Sequence, residues 1–142
     1  MTTLYLKGLE VAFDALMQEA AAPAGTVKLS YMQPAYTPNL TTDNFYSDVS
    51  ASVASGAPVE TLANIDVRRD TANVRIEVDA DDVTETGVTT STNKYIIWLD
   101  TGVAATSPLI ACVDIVEGTL APTGGILGIV FNAEGIFGVN PT

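Results

Sequence analysis

Asp79-Ala80-Asp81-Asp82-Val83, then Tyr95-Ile96-Ile97-Trp98-Leu99, then Leu109-Ile110-Ala111-Cys112-Val113, then the glycine-spaced run 125–137: the reading of these pieces decides the fold. An acidic turn opens the series. The three apolar segments that follow (95–99, 108–116 and 125–137) are each short enough for a strand, and Gly, Pro, Asn and Thr interrupt them too often for a helix. Within the first, alternation puts Tyr95, Ile97 and Leu99 on one face and Ile96 and Trp98 on the other. Both faces are apolar, so this strand is expected to be covered on both sides, by a second layer and by the helix, a loop or a neighbouring subunit.

Upstream, residues 3–20 carry Leu9, Ala12, Phe13, Leu16 and Met17 at helical spacing, with Lys7, Glu10, Asp14 and Gln18 on other faces. Thr2 or Thr3 can cap this helix, Gly8 weakens its first turns, and Ala22-Pro23-Ala24-Gly25 ends it. Its apolar stripe is expected to pack on the chain's own sheet. Residues 26–32 alternate Val27, Leu29 and Tyr31 with Lys28 and Ser30, the period of a strand. Residues 33–58 are rich in Pro, Thr, Asn, Ser and Gly, and read as a long loop pinned by Phe45 and Tyr46; loops of this length are more often functional, partner-binding or disordered than idle. Residues 61–67 and 72–78 form an expected hairpin turning at Arg68-Arg69-Asp70-Thr71, with Val74, Ile76 and Val78 on one face of its second arm.

The whole, 1–142, reads as a single domain: an N-terminal arm and helix (1–22), the long loop (33–58) and a main β region (61–139). Short strands joined by Gly and Pro turns indicate a mainly β fold, a sandwich or a barrel, and an antiparallel β-sandwich with one N-terminal α-helix is expected.

Six basic residues against seventeen acidic ones give a net charge of −11, which opposes binding to nucleic acid and to anionic lipid surfaces. No segment approaches the length of apolar sequence that spans a membrane, and the N-terminus lacks the pattern of a secretory signal, so the chain is expected to be soluble and made in the cytoplasm. A low charged fraction of 16% beside 47% hydrophobic residues suggests a surface covered in part by protein partners. The single cysteine, Cys112, lies in an apolar run and is expected to be buried and inert.

The absence of histidine removes the usual Ser-His-Asp and Cys-His devices and His-based zinc sites. Glu77, Asp79, Asp81, Asp82 and Glu85 suggest a calcium loop, but Val83 and Thr84 stand where an EF-hand needs a ligand and a glycine, so a solvated turn is expected and no metal is assigned. The run Thr123-Gly124-Gly125-Ile126-Leu127-Gly128 lacks the Lys and Ser/Thr of a phosphate loop. Carboxylates alone can hydrolyse glycosidic bonds only at a set separation across a cleft. No enzyme activity and no cofactor are expected.

The order of elements resembles a family of small virion structural proteins of tailed bacteriophages, encoded near the major capsid protein. The resemblance runs through Lys7-Gly8, Gly25-Thr26-Val27-Lys28-Leu29, Tyr46-Ser47-Asp48, the acidic turn 79–84, Tyr95-Ile96-Ile97-Trp98-Leu99-Asp100-Thr101-Gly102, Ser107-Pro108-Leu109-Ile110-Ala111, Gly124-Gly125 and Gly135-Ile136-Phe137. It implies a jelly-roll-like sandwich that decorates or cements the capsid exterior, with the major capsid protein as partner and a dimer or trimer as its own state. Leu4, Tyr5, Phe13, Tyr36, Phe45, Tyr46 and Trp98 are the candidate interface residues. The alternative is a tail or head-fibre component whose long loop binds a host receptor or glycan.

Overall fold

The computed structural model describes residues 5–20 and 26–140. It is mainly β, with antiparallel sheets and one N-terminal helix, α1 (Leu6–Ala20). The strands are β1 (Thr26–Met32), β2 (Val59–Thr61), β3 (Asp66–Asp70), β4 (Arg75–Asp79), β5 (Val83–Thr86), β6 (Lys94–Asp100), β7 (Leu109–Asp114), β8 (Ile126–Ile129) and β9 (Phe137–Val139). They form a four-stranded sheet ordered β2-β1-β6-β7, a three-stranded sheet ordered β3-β4-β9, and the pair β5-β8. A one-turn helix, α2 (Tyr46–Val49), and a 3₁₀ turn (Ser50–Ser52) lie within the long connection from β1 to β2.

Alternation in β1 and β6 divides the four-stranded sheet into two apolar faces. Leu29 pairs with Ile97 and Tyr31 with Tyr95, and these side chains join Val78, Val83, Leu127, Ile136 and Met17 in the main core. The other face presents Met32, Ile96 and Trp98, which the long connection covers with Val49, Val53, Tyr36 and Tyr46. This is the two-sided covering expected of β6, whose residues from Lys94 to Trp98 are all buried. Even Ser30, polar by sequence, is fully buried because the indole Nε1–H of Trp98 donates to its Oγ at 3.0 Å.

Helix α1 turns Phe13, Leu16 and Met17 toward the core and packs on β3, β4 and β1. Ala12, assigned to the same stripe from its spacing, is exposed. The half-buried Glu10 takes the stripe's upper position, bridging Lys7 at 2.9 Å and Arg69 at 3.0 Å. The helix start expected at Thr2 or Thr3 lies outside the described residues, as do Leu4 and the Ala22–Gly25 stop.

Three local expectations are corrected. The hairpin of β3 and β4 turns at residues 71–74, not 68–71: Arg68 and Arg69 belong to β3, paired with Glu77 and Ile76. Asp70 organises the true turn by accepting from the backbone N–H of Ala72 and Asn73, and Val74 sits in it at φ 54°, exposed rather than facing inward. Residues 61–67 do not form one arm, because Thr61 ends β2 against β1 before β3 begins. The run 125–137 is divided between two sheets. Ile126–Ile129 pairs with β5, then the chain turns through Gly135 at φ 89° and pairs β9 with β4. A Cβ at Gly135 would lie 2.6 Å from the carbonyl oxygen of Val78, which accepts from the N–H of Ile136, so only glycine fits there.

Candidate functional site

The long connection does more than cover β6. Asp48, in α2, reaches back to accept from the N–H of Phe45 at 2.8 Å and of Asn44 at 3.0 Å, fixing the entry to that turn. The ring of Tyr46 then stacks on Trp98 with centroids 3.9 Å apart and planes 14° from parallel. Phe45 bridges to Pro108, with the Tyr46 N–H donating to the Ser107 carbonyl and the Leu109 N–H to the Asn44 carbonyl. The loop is thereby hydrogen-bonded to the first residues of β7.

Before this anchor, residues 36–44 stand off the sheet. The Tyr36 hydroxyl donates to Asp43 Oδ2 at 2.9 Å, and the Asn39 N–H donates to the same oxygen at 2.8 Å. The Asn39 backbone and then the Tyr36 hydroxyl hold the Asp43 carboxyl below its ordinary range. Burial, then the Asp43 hydrogen bond, pushes the Tyr36 phenol well above its own. Between this braced loop and the sheet lies a groove of about 290 Å³, lined by Tyr36, Leu40, Asp43, Leu109, Ile110 and Cys112 among others. Leu40 at its rim is 92% exposed, an unusual state for a leucine.

The groove runs along β7, the end strand of its sheet. The Ile115 N–H donates to the Asn93 carbonyl at 2.9 Å, which by antiparallel alternation turns the backbone groups of Cys112 and Asp114 away from β6. Among the described residues no strand pairs with that edge beyond Leu109. The site therefore combines an apolar cleft with a row of available main-chain donors and acceptors, the two requirements for adding an extended segment to a sheet.

Of the candidate interface residues, Tyr36, Phe45, Tyr46 and Trp98 are gathered here. Trp98 is 5% exposed and is committed to Tyr46 and Ser30, so it supports the site instead of touching a partner. Phe13 is also an internal residue, packed edge to face on Phe137 with centroids 6.3 Å apart. Tyr5 is exposed at the start of α1, away from the groove lining, and Leu4 lies outside the described residues. Sequence reasoning missed Leu40 and Cys112. Cys112 is exposed, not buried, because β7 is an edge strand; desolvation at its sulfur, then the Asp114 charge, raises the thiol's pKa, and Lys94 opposes this.

The acidic cluster is dispersed. Buried Glu77 sits between Arg68, at 2.9 Å, and Arg75, at 2.8 Å, while Asp79 meets Arg68 and Glu134 meets Arg75. Asp81 accepts from Asn64, and Asp82 from the N–H of Phe131. Among the described residues no three carboxylate or thiol side chains converge as metal ligands, and no helix is long and apolar enough to cross a membrane. No family model, no curated protein and no solved structure matches the chain.

Proposed function

We propose that this chain is a capsid decoration protein of a tailed bacteriophage, binding the outer surface of the assembled head and bridging neighbouring capsid subunits without covalent chemistry. In this reading the sheets are the layers of a jelly-roll-like sandwich, the major capsid protein is the partner, and the decorating unit is a dimer or trimer. The observation that carries it is the groove beside the open edge of β7, with Leu109 and Ile110 on the strand and Leu40 facing them from the long connection. An extended segment of a capsid subunit would pair with that edge and seat an apolar side chain under Leu40. A ligand that binds only the assembled shell stabilises it by mass action, by about 2.7 kcal/mol when present at a hundred times its Kd. The net charge of −11 supports an outward-facing role, since it keeps decorated particles apart and opposes contact with packaged nucleic acid.

The test is co-sedimentation with assembled shells, combined with alkylation of the single thiol. Wild-type protein pellets with shells, and bound protein shows a large drop in Cys112 modification because the groove is covered. Leu40→Glu, at an exposed position that costs the fold little, weakens binding roughly tenfold or more, about 1.4 kcal/mol. Failure to pellet, or bound protein whose Cys112 reacts as fast as in the free state, overturns the reading.

A host-glycan reading draws on one observation: Tyr36, Asn39, Asp43 and Asn44 place an aromatic ring beside amide and carboxylate groups in the same groove. It predicts retention on host surface polysaccharide and no affinity for shells.

A further inference from the structure

In the two-stranded unit, β8 has an open edge and an uncovered apolar face. The Gly87 N–H donates to the Gly125 carbonyl at 3.0 Å beyond one end of the pair, and the Phe131 N–H donates to Asp82 Oδ1 at 2.9 Å beyond the other. By antiparallel alternation Leu127 and Ile129 turn their main-chain groups toward β5, while those of Ile126, Gly128 and Val130 point to the free edge. Among the described residues no hydrogen bond reaches that edge. The same positions carry the outward face: Leu127 is buried in the core, whereas Ile126 is 74% and Val130 79% exposed.

The other end strands are guarded. Glu60 stands in β2, Asp66, Arg68, Arg69 and Asp70 in β3, Glu85 in β5 and Asp114 in β7, and β9 is only three residues long. Charge and shortness keep an end strand from pairing with another chain. β8 carries no charge, and the hydrogen bonds at Gly125 and Phe131 extend its paired run past both ends. No charged residue stands between Glu117 and Glu134, the longest such interval in the sequence. Two chains of net charge −11 repel each other, so a contact between copies is favoured where neither surface is charged, as here. An antiparallel edge is also complementary to itself under a two-fold rotation.

We infer that β8 is the contact strand of a two-fold homodimer, in which two copies pair these edges antiparallel about Gly128 and build the four-stranded sheet β5-β8-β8-β5. Gly128 then faces its own copy as a hydrogen-bonded pair, with Cα atoms about 5.5 Å apart. Ile126 of each chain lies opposite Val130 of the other, a cross-strand pair of β-branched side chains that the axis repeats. This names the contact for the dimer of the decoration reading, stands on strand geometry instead of shell binding, and uses a strand other than β7.

Sedimentation equilibrium of the free chain, from micromolar to millimolar concentration, tests this without shells, so its failure leaves the decoration reading standing. Wild type is expected at twice the 14.8 kDa of one chain, with amide hydrogen exchange slowing at Ile126, Gly128 and Val130 as the dimer forms. Gly128→Lys sets two ammonium groups across the axis and raises the dissociation constant roughly tenfold or more. A Cβ there meets only the Val83 carbonyl oxygen at 3.9 Å and Thr84 Oγ1 at 4.0 Å, so the single chain accepts it, as circular dichroism checks. Val130→Glu weakens the dimer similarly, and Ile126→Lys/Val130→Glu in one chain sets opposite charges across both cross-strand pairs and restores it. A wild type that stays monomeric at millimolar concentration, or forms a trimer, overturns the inference. So does a dimer that a folded Gly128→Lys leaves unchanged, or a double variant that associates no better than Val130→Glu alone.

Discussion

Val74 and Glu77, three residues apart, show how single side chains set the terms of this fold. Val74 holds φ 54° in the turn between β3 and β4, a region where a β-branched residue is strained by roughly 1–2 kcal/mol, and it is exposed, so its packing returns little. Val74→Asn should raise stability by about 1 kcal/mol in urea unfolding, because Asn adopts that conformation readily. Glu77 is the reverse case, 5% exposed and holding both Arg68 and Arg75. Replacing it with Gln removes the charge that both guanidinium groups share, and should cost about 2–3 kcal/mol, less than for a fully buried pair because both arginines reach solvent. The carboxylates of 77–85 were visible in the sequence as a cluster, but their roles were not. Arg68 comes from β3, and Asn64 and Phe131 from connections distant in the sequence, so only the folded chain brings these partners near.

Among the elements, β1 and β6 were the most legible, β1 because apolar and polar side chains alternate along it and β6 because its five apolar residues run without interruption. Expected and observed bounds for β1 coincide at 26–32, and β6 extends the expected 95–99 by one residue at each end. The hairpin turn was misplaced because adjacent charged residues, Arg68-Arg69, look like a turn, while the Asp70 side chain that builds the real one is a local hydrogen-bonding device without apolar punctuation. The last apolar run was read as one strand since nothing local tells that Gly135 must approach the Val78 carbonyl. The groove was legible only in part. Phe45 and Tyr46 announced the anchor, but the standing-off of residues 36–44 depends on the Tyr36 to Asp43 hydrogen bond seven residues along, which has no sequence period. If the Tyr46 stack on Trp98 holds this element, Tyr46→Ala should leave the sheets folded while exposing the connection. Limited proteolysis should then cut within 33–58 at least several times faster than in wild type, with cleavage elsewhere unchanged.

For the molecule as a whole, acidity acts in two opposed directions. Glu10, Asp43 and Asp70 are held below their ordinary pKa values, by Lys7, by the Asn39 backbone and by Asn73 respectively. Each contributes stability that is present above the ordinary carboxylate range and is lost as pH falls through its depressed value. Glu85, raised to about 7 from 4.5, contributes most at or below 4.5, and that contribution is lost as pH rises to about 7. Stability should therefore peak at mildly acidic pH, ~5, and decline on both sides, as thermal unfolding across pH 3 to 9 would show. At the same scale lies the surface proposed to meet the capsid. The measurement that tests decoration most directly is quantitative mass spectrometry of purified source particles after heads and tails are separated. Decoration predicts this chain in the head fraction, at a copy number comparable to that of the major capsid protein. Recovery with tails, or at only a few copies per particle, would contradict it.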